Sequence, residues 1–162
     1  MLRQLFLLYR LRPFSTNLGA RQVKTPKLLL SDTGMAAALV GVDTSRYSAP
    51  DQGSVAGMLF ETFVLMELVK QATWSATPVE LFFYRDTDKR EVDLVIESTS
   101  GDVVGVEAKT TATVKATDTR GLRHLRDKLG PRFKAGIVVY SGAHTLPISE
   151  RIWAVPISGL WQ

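Results

Sequence analysis

The sequence predicts a mixed α/β domain, with a sheet whose strands run both parallel and antiparallel and helices on its faces. Three observations predict it. Residues Glu91–Lys109 read as an antiparallel hairpin. Residues 54–72 and 118–129 carry helical periodicity. The second helix lies between strand-like runs, so it is a crossover, and the run at 135–140 should join parallel to a neighbour. The middle of the chain is therefore ordered helix, strand, strand, strand, helix, strand.

The hairpin fixes the most chemistry. Val92, Leu94 and Ile96 alternate on one face of its first strand, and Val104, Val106 and Ala108 on one face of its second. Ser98–Asp102 forms the turn. Folding about Ser100 sets Asp93 opposite Glu107 and Glu91 opposite Lys109. Like charges directly opposite destabilise a sheet. Two facing carboxylates among core residues therefore suggest a cation held between them. Lys109 follows Glu107 by two residues and shares its face, roughly 6.5–7 Å along the strand.

The other elements follow in order. Residues 1–13 form an apolar strand or short helix ending at Pro13. Phe14–Lys27 is a basic loop carrying Arg21, Lys24 and Lys27, read as solvated. Leu28–Leu30 is a short buried strand. Asp32 caps a small helix running to about Val40, which Gly41 stops. Asp43–Gly53 is a loop. The long helix 54–72 has an apolar stripe of Val55, Met58, Leu59, Val64, Leu65 and Leu68. Glu61 lies inside that stripe, because Val64, Leu65 and Leu68 stand three, four and seven residues on. Glu67 points to solvent. A carboxylate on a buried face needs a metal or an ion-pair partner. A core lysine or arginine, Lys109 among them, is the structural alternative.

Val79–Tyr84 is a strand. Arg85–Arg90 is a charged turn whose Asp86-Thr87-Asp88 lacks the spacing of a calcium loop. Thr110–Thr117 is a polar connection. Asp118 caps the helix to Leu129, with Leu122, Leu125 and Leu129 inward and Arg120, Arg123, His124 and Asp127 outward. Ala135–Tyr140 is a buried strand, Arg151–Pro156 a last strand and Ile157–Trp161 an apolar tail. His124 and His144 have no ligand spacing and read as surface residues. Trp74, Trp153 and Trp161 read as core.

The 162 residues suffice for one domain, with 1–53 an extension packing on a core of 54–162. Hydrophobic residues make up 45% of the chain, which excludes a disordered protein. No apolar run reaches the roughly 20 residues of a membrane helix. Arg3, Arg10 and Arg12 break the first segment, so it does not read as a signal peptide. The chain has no cysteine, which removes disulfides and thiolate metal sites and suits a cytoplasmic protein. A net charge of +4 permits nucleic-acid binding without requiring it. Self-association stays open.

Glu61, Asp93 and Glu107-Ala108-Lys109 together resemble the PD-(D/E)xK nuclease signature, in the αβββαβ order of the restriction-endonuclease-like fold. More narrowly, Thr25–Gly34, Gly57–Leu68, Phe83-Tyr84-Arg85, Glu91–Glu97 and Val106–Thr110 are similar to the C-terminal domain of prokaryotic AAA-type ATP-binding proteins. No G-x-x-x-x-G-K-[ST] loop occurs, so this chain carries no ATP site and resembles that family without its ATPase region. The resemblance implies that Asp93, Glu107 and the Ala108 carbonyl ligate Mg²⁺ or Mn²⁺. It implies that Glu61 holds a metal-bound water or a second ion, and that Lys109 orients the attacking water or stabilises phosphate charge. Lys115, Arg120 and Arg123 would contact DNA backbone phosphates.

Three readings stay open. The chain is a metal-dependent nuclease domain. It is an inactive nuclease-shaped module that binds DNA or a protein partner. Or the charges are structural, with Glu91 paired to Lys109 and partners elsewhere for Glu61 and Asp93.

Overall fold

A computed structural model describes residues 6–16, 25–42 and 53–161. The expectations placed on Arg3, Arg21, Lys24 and the 43–52 loop lie outside the described residues. The elements are β1 (Leu8–Pro13), β2 (Lys27–Leu30), α1 (Thr33–Leu39), α2 (Gly53–Thr73), β3 (Val79–Arg85), β4 (Glu91–Ser98), β5 (Val103–Lys109), α3 (Arg120–Leu129), β6 (Phe133–Tyr140), β7 (Leu146–Ser149) and β8 (Ile152–Pro156). They build a mixed α/β fold on one eight-stranded sheet, ordered β2-β1-β3-β4-β5-β6-β8-β7.

The hairpin folds about Ser100 as expected. Leu94 pairs with Val106, Val95 with Gly105, Ile96 with Val104 and Glu97 with Val103. The crossover helix also delivers β6 parallel to β5. Alternation along the strands divides the core into two layers. Phe82, Val95, Val103 and Val138 pack with Leu122, Leu125 and Leu129 of α3. Phe83, Leu94, Val106 and Val139 pack with Val64 and Leu65 of α2. Burial of each such side chain contributes about 1.5–3 kcal/mol.

One strand departs from strict alternation. Between Phe82 and Tyr84 on β3 there are two steps, while their partners Val95 and Val92 on β4 are three steps apart. This bulge adds a residue to β4 at Asp93–Leu94 and reverses the facing beyond it. Val92 therefore packs with Leu122 in the α3 layer, not with Leu94 and Ile96 as period two requires.

The N-terminal strands do more than cover the core. β1 pairs parallel to β3 and antiparallel to β2, so both join the sheet. Asp32 caps α1 by accepting from the Met35 amide at 2.7 Å, and Gly41 adopts φ 66° just past the helix end. Asp118 does not cap α3. It sits in a 3-10 turn, Ala116–Thr119, where its carboxylate accepts from the Lys115 amide at 2.7 Å. The strand at Leu146–Ser149 was not anticipated; Pro147 within it weakened the sequence signal.

Four surface expectations are corrected. The Glu67 side chain is 15% exposed and pairs with Lys70. Met58 is 61% exposed despite its place in the α2 stripe. Trp74 and Trp161 are exposed, not core. His124 is half-buried against Tyr84, whose hydroxyl lies 3.1 Å from its Nε2.

Candidate functional site

Strand β5 ends where the start of α2 and the 3-10 turn converge, around a cavity of about 280 Å³. Gly57 and Glu61 of α2, Asp93, Ala108, Lys109, Lys115 and Asp118 line it. Asp93 and Glu107 are both buried, at 8% and 6% exposure. The Ala108 amide donates to Asp93 Oδ2 at 2.9 Å and fixes that carboxylate beside β5. Here the bulge has a use, since it turns Asp93 towards the end of the neighbouring strand.

Glu107 lies within hydrogen-bonding reach of Asp93, and its Oε2 is 3.5 Å from Lys109 Nζ. Burial, then the Asp93 charge, push the Glu107 carboxyl up to about 9, although Lys109 opposes the shift. The Glu107 carboxyl thus holds its proton more tightly than an exposed glutamate does. Burial pulls the Lys109 ammonium down, but Glu107 and Asp93 outweigh it and leave its proton held more tightly than usual.

Glu61 reaches the same cavity from the helix. Burial and Asp93 raise its carboxyl, against the lowering by Lys27. Its ion-pair partner is Lys27 of β2, at 3.1 Å from Nζ to Oε1. Glu91, in turn, pairs with Arg85 at 2.8 Å and not with Lys109. The site thus brings together Glu61, Asp93, Glu107, Ala108 and Lys109, with Lys115 on its wall.

Of the expected phosphate contacts, Arg120 is exposed at the start of α3. Arg123 is engaged within the turn, donating to Thr119 Oγ1 at 3.0 and 2.7 Å and to the Ala116 carbonyl at 2.9 Å. Sequence reasoning missed Asp118 as a cavity residue and Lys27 as the partner of Glu61. Asp118 had a complete local explanation as a cap. Lys27 lies 34 residues from Glu61, beyond any local pattern.

Gly121 permits close packing behind the site. A Cβ there would stand 1.8 Å from the Glu91 carbonyl oxygen and 3.1 Å from Glu107 Oε1. Only glycine lets the start of α3 sit against β4 and β5 at this point.

The donor set fits a hard divalent cation in part. Two adjacent buried carboxylates supply hard oxygen ligands, and burial first and the Asp93 charge second raise Glu107, both of which a bound cation would oppose. Among the described residues, no three His, Cys, Asp or Glu side chains group closely enough to hold a metal ion. Glu61, the third acid, is engaged by Lys27. No described helix is long and apolar enough to cross a membrane.

Comparisons place these features among relatives. A family model described as a domain of unknown function, DUF4143, matches residues 56–160. Another, described as a domain of unknown function, DUF8612, matches residues 1–46. An uncharacterized protein of Mycobacterium bovis is 32% identical over 148 residues, covering 91% of this chain and 31% of the relative. An uncharacterized protein of Mycobacterium tuberculosis matches to the same extent. The chain therefore spans about a third of the length of these curated relatives. No solved structure matches.

Proposed function

Because the chain belongs to the DUF4143 family, whose domain occurs in AAA-ATPase-associated proteins, we propose that it is a metal-dependent nuclease domain with a restriction-endonuclease-like core, hydrolysing nucleic-acid phosphodiester bonds. The convergence of Asp93, Glu107 and Lys109 from two strands, with Glu61 reaching in from α2, carries this reading. The order α2-β3-β4-β5-α3-β6, with β6 parallel to β5, supports the fold assignment.

In this reading Asp93, Glu107 and the Ala108 carbonyl would be the residues that hold Mg²⁺ or Mn²⁺. The bound ion would polarise the phosphodiester and acidify a coordinated water. Lys109, already held beside Glu107, stabilises the charge that develops on the phosphate. Glu61 orients a water once it leaves Lys27. Lys115 on the cavity wall and Arg120 on the surface meet backbone phosphates of DNA, with Arg123 acting through the turn it braces. A cytoplasmic location suits the substrate.

One observation favours a second reading. Glu61 is taken by Lys27 at 3.1 Å, which suits an inactive module that binds DNA or a protein partner. Titration of Mn²⁺ into wild type and Asp93→Ala separates a cation site from a structural cluster, since heat should appear only in the former. Supercoiled and single-stranded DNA incubated with Mg²⁺ or Mn²⁺ then separates enzyme from module. Cleavage at the wild-type rate in Lys109→Ala belongs to a contaminant and defeats the nuclease assignment.

A further inference from the structure

We propose that Lys27 is a built-in counter-ion of the acidic cavity, competing with a divalent cation for Glu61. The inference rests on the cation-site reading above and concerns how that site is regulated. Four observations carry it.

The pair is specific and partly shielded. Lys27 Nζ and Glu61 Oε1 are 3.1 Å apart, with side chains 28% and 27% exposed. Such a pair is screened less than a fully exposed one.

The ammonium is held in place from a second side. It lies 5.3 Å from the ring centroid of Phe83, a residue only 7% exposed. Cation–π attraction at such a site favours this one position. Lys27 is also paired in register with Leu11, which is fully buried, so its backbone moves only with the β1–β2 pair.

Glu61 stands on a partition. It lines the acidic cavity with Asp93 and Lys109. Together with Lys27, Leu28 and Met58 it also lines an apolar groove of about 470 Å³ between α2, β2 and α1. Glu61 thus borders both spaces, and Lys27 approaches it from the groove side.

The pair also joins two sequence units. Lys27 falls within the matched segment 1–46, and Glu61 within 56–160. The N-terminal segment thus reaches the site built by the other through the pair of Lys27 with Glu61. Asp93 and Glu61 repel each other electrostatically, and either Lys27 or a divalent ion can answer that repulsion. A purely structural ion pair would affect folding stability alone. A counter-ion must also lower cation affinity.

The test is calorimetric titration of Mn²⁺ into the full chain as wild type, Lys27→Met, Glu61→Gln and the double variant. Thermal melts establish that each is folded. Lys27→Met should bind Mn²⁺ roughly three- to tenfold more tightly, the scale of one partly exposed charge interaction. Glu61→Gln should abolish that gain, so that the double variant matches Glu61→Gln alone. Lys27→Arg, which keeps the charge, should return the affinity to that of wild type. Should Lys27→Met not fold, Lys27→Gln makes the same comparison with a polar side chain. Unchanged or weaker binding without the lysine, in a protein whose wild type binds Mn²⁺, overturns the inference and leaves the cation site standing. Absence of Mn²⁺ heat in all variants overturns both.

Discussion

Two acidic clusters border β4, and they hold their charges in opposite ways. In the turn before the strand, Asp86 accepts from the amides of Asp88 at 2.9 Å and Arg90 at 3.0 Å, and from Arg90 Nε at 2.7 Å. Burial alone would raise its carboxyl, but these donors outweigh it and hold Asp86 below the usual aspartate range. Within the strand, Asp93 lies beside Glu107, which burial first and the Asp93 charge second drive upward. Carboxylates whose neighbours donate to them are finished structure. Carboxylates that crowd each other retain a demand for a cation. The difference separates a turn from a candidate site more sharply than a count of acids does.

The largest expected effect tests the crowded cluster. Lys109→Ala should reduce metal-dependent DNA cleavage by roughly 10²–10³, while Asp86→Ala leaves the rate within about twofold of wild type under the same assay. Equal losses would erase the distinction.

Next comes the packing behind the site. Gly121→Ala drives a methyl into the Glu91 carbonyl and should destabilise the fold by roughly 3 kcal/mol in urea unfolding. A neutral result would mean that α3 can move away from β4.

The clusters should also respond oppositely to pH. A carboxyl raised from 4.5 to about 9 binds an extra proton in the folded state across that window. Its contribution to stability is complete below the lower value and is lost as pH rises towards the upper. Metal-free protein should therefore lose stability between about pH 5 and pH 9, by at most about 1.4 kcal/mol per pH unit for one proton. Glu107→Gln should flatten that slope, as read by thermal melts across the range. Asp86 works in the other direction. Its contribution is present above 3.8 and is lost as pH falls through its depressed value. The smallest expected effect is Asp86→Ala at neutral pH, a melting temperature lower by roughly 2–4 °C.

Much of this was legible in the residues. The hairpin register followed from alternation about a polar turn, and Glu61 from its three-, four- and seven-residue spacing to Val64, Leu65 and Leu68. The crossover to β6 followed from connection rules. Val92 was misplaced because a bulge depends on how β3 meets β4, which period two within one strand does not encode. Lys27 was read as part of a solvated loop because its partner lies on another element. Glu67 was assigned to solvent on helical geometry alone, yet α2 has neighbours on more than one side. Lys70 supplies the charge that makes its partial burial tolerable.

The strand order also has a consequence for assembly. Its two margins differ. At β7, Pro147 withholds a backbone donor from any incoming chain. At β2, the residues Lys27–Leu30 contain no proline, and Leu28 is 64% exposed. Among the described residues, recruitment of a foreign or sister strand is thus biased to the β2 margin, since Lys27 is turned to Glu61 and the Phe83 ring and leaves that edge without an outward lysine.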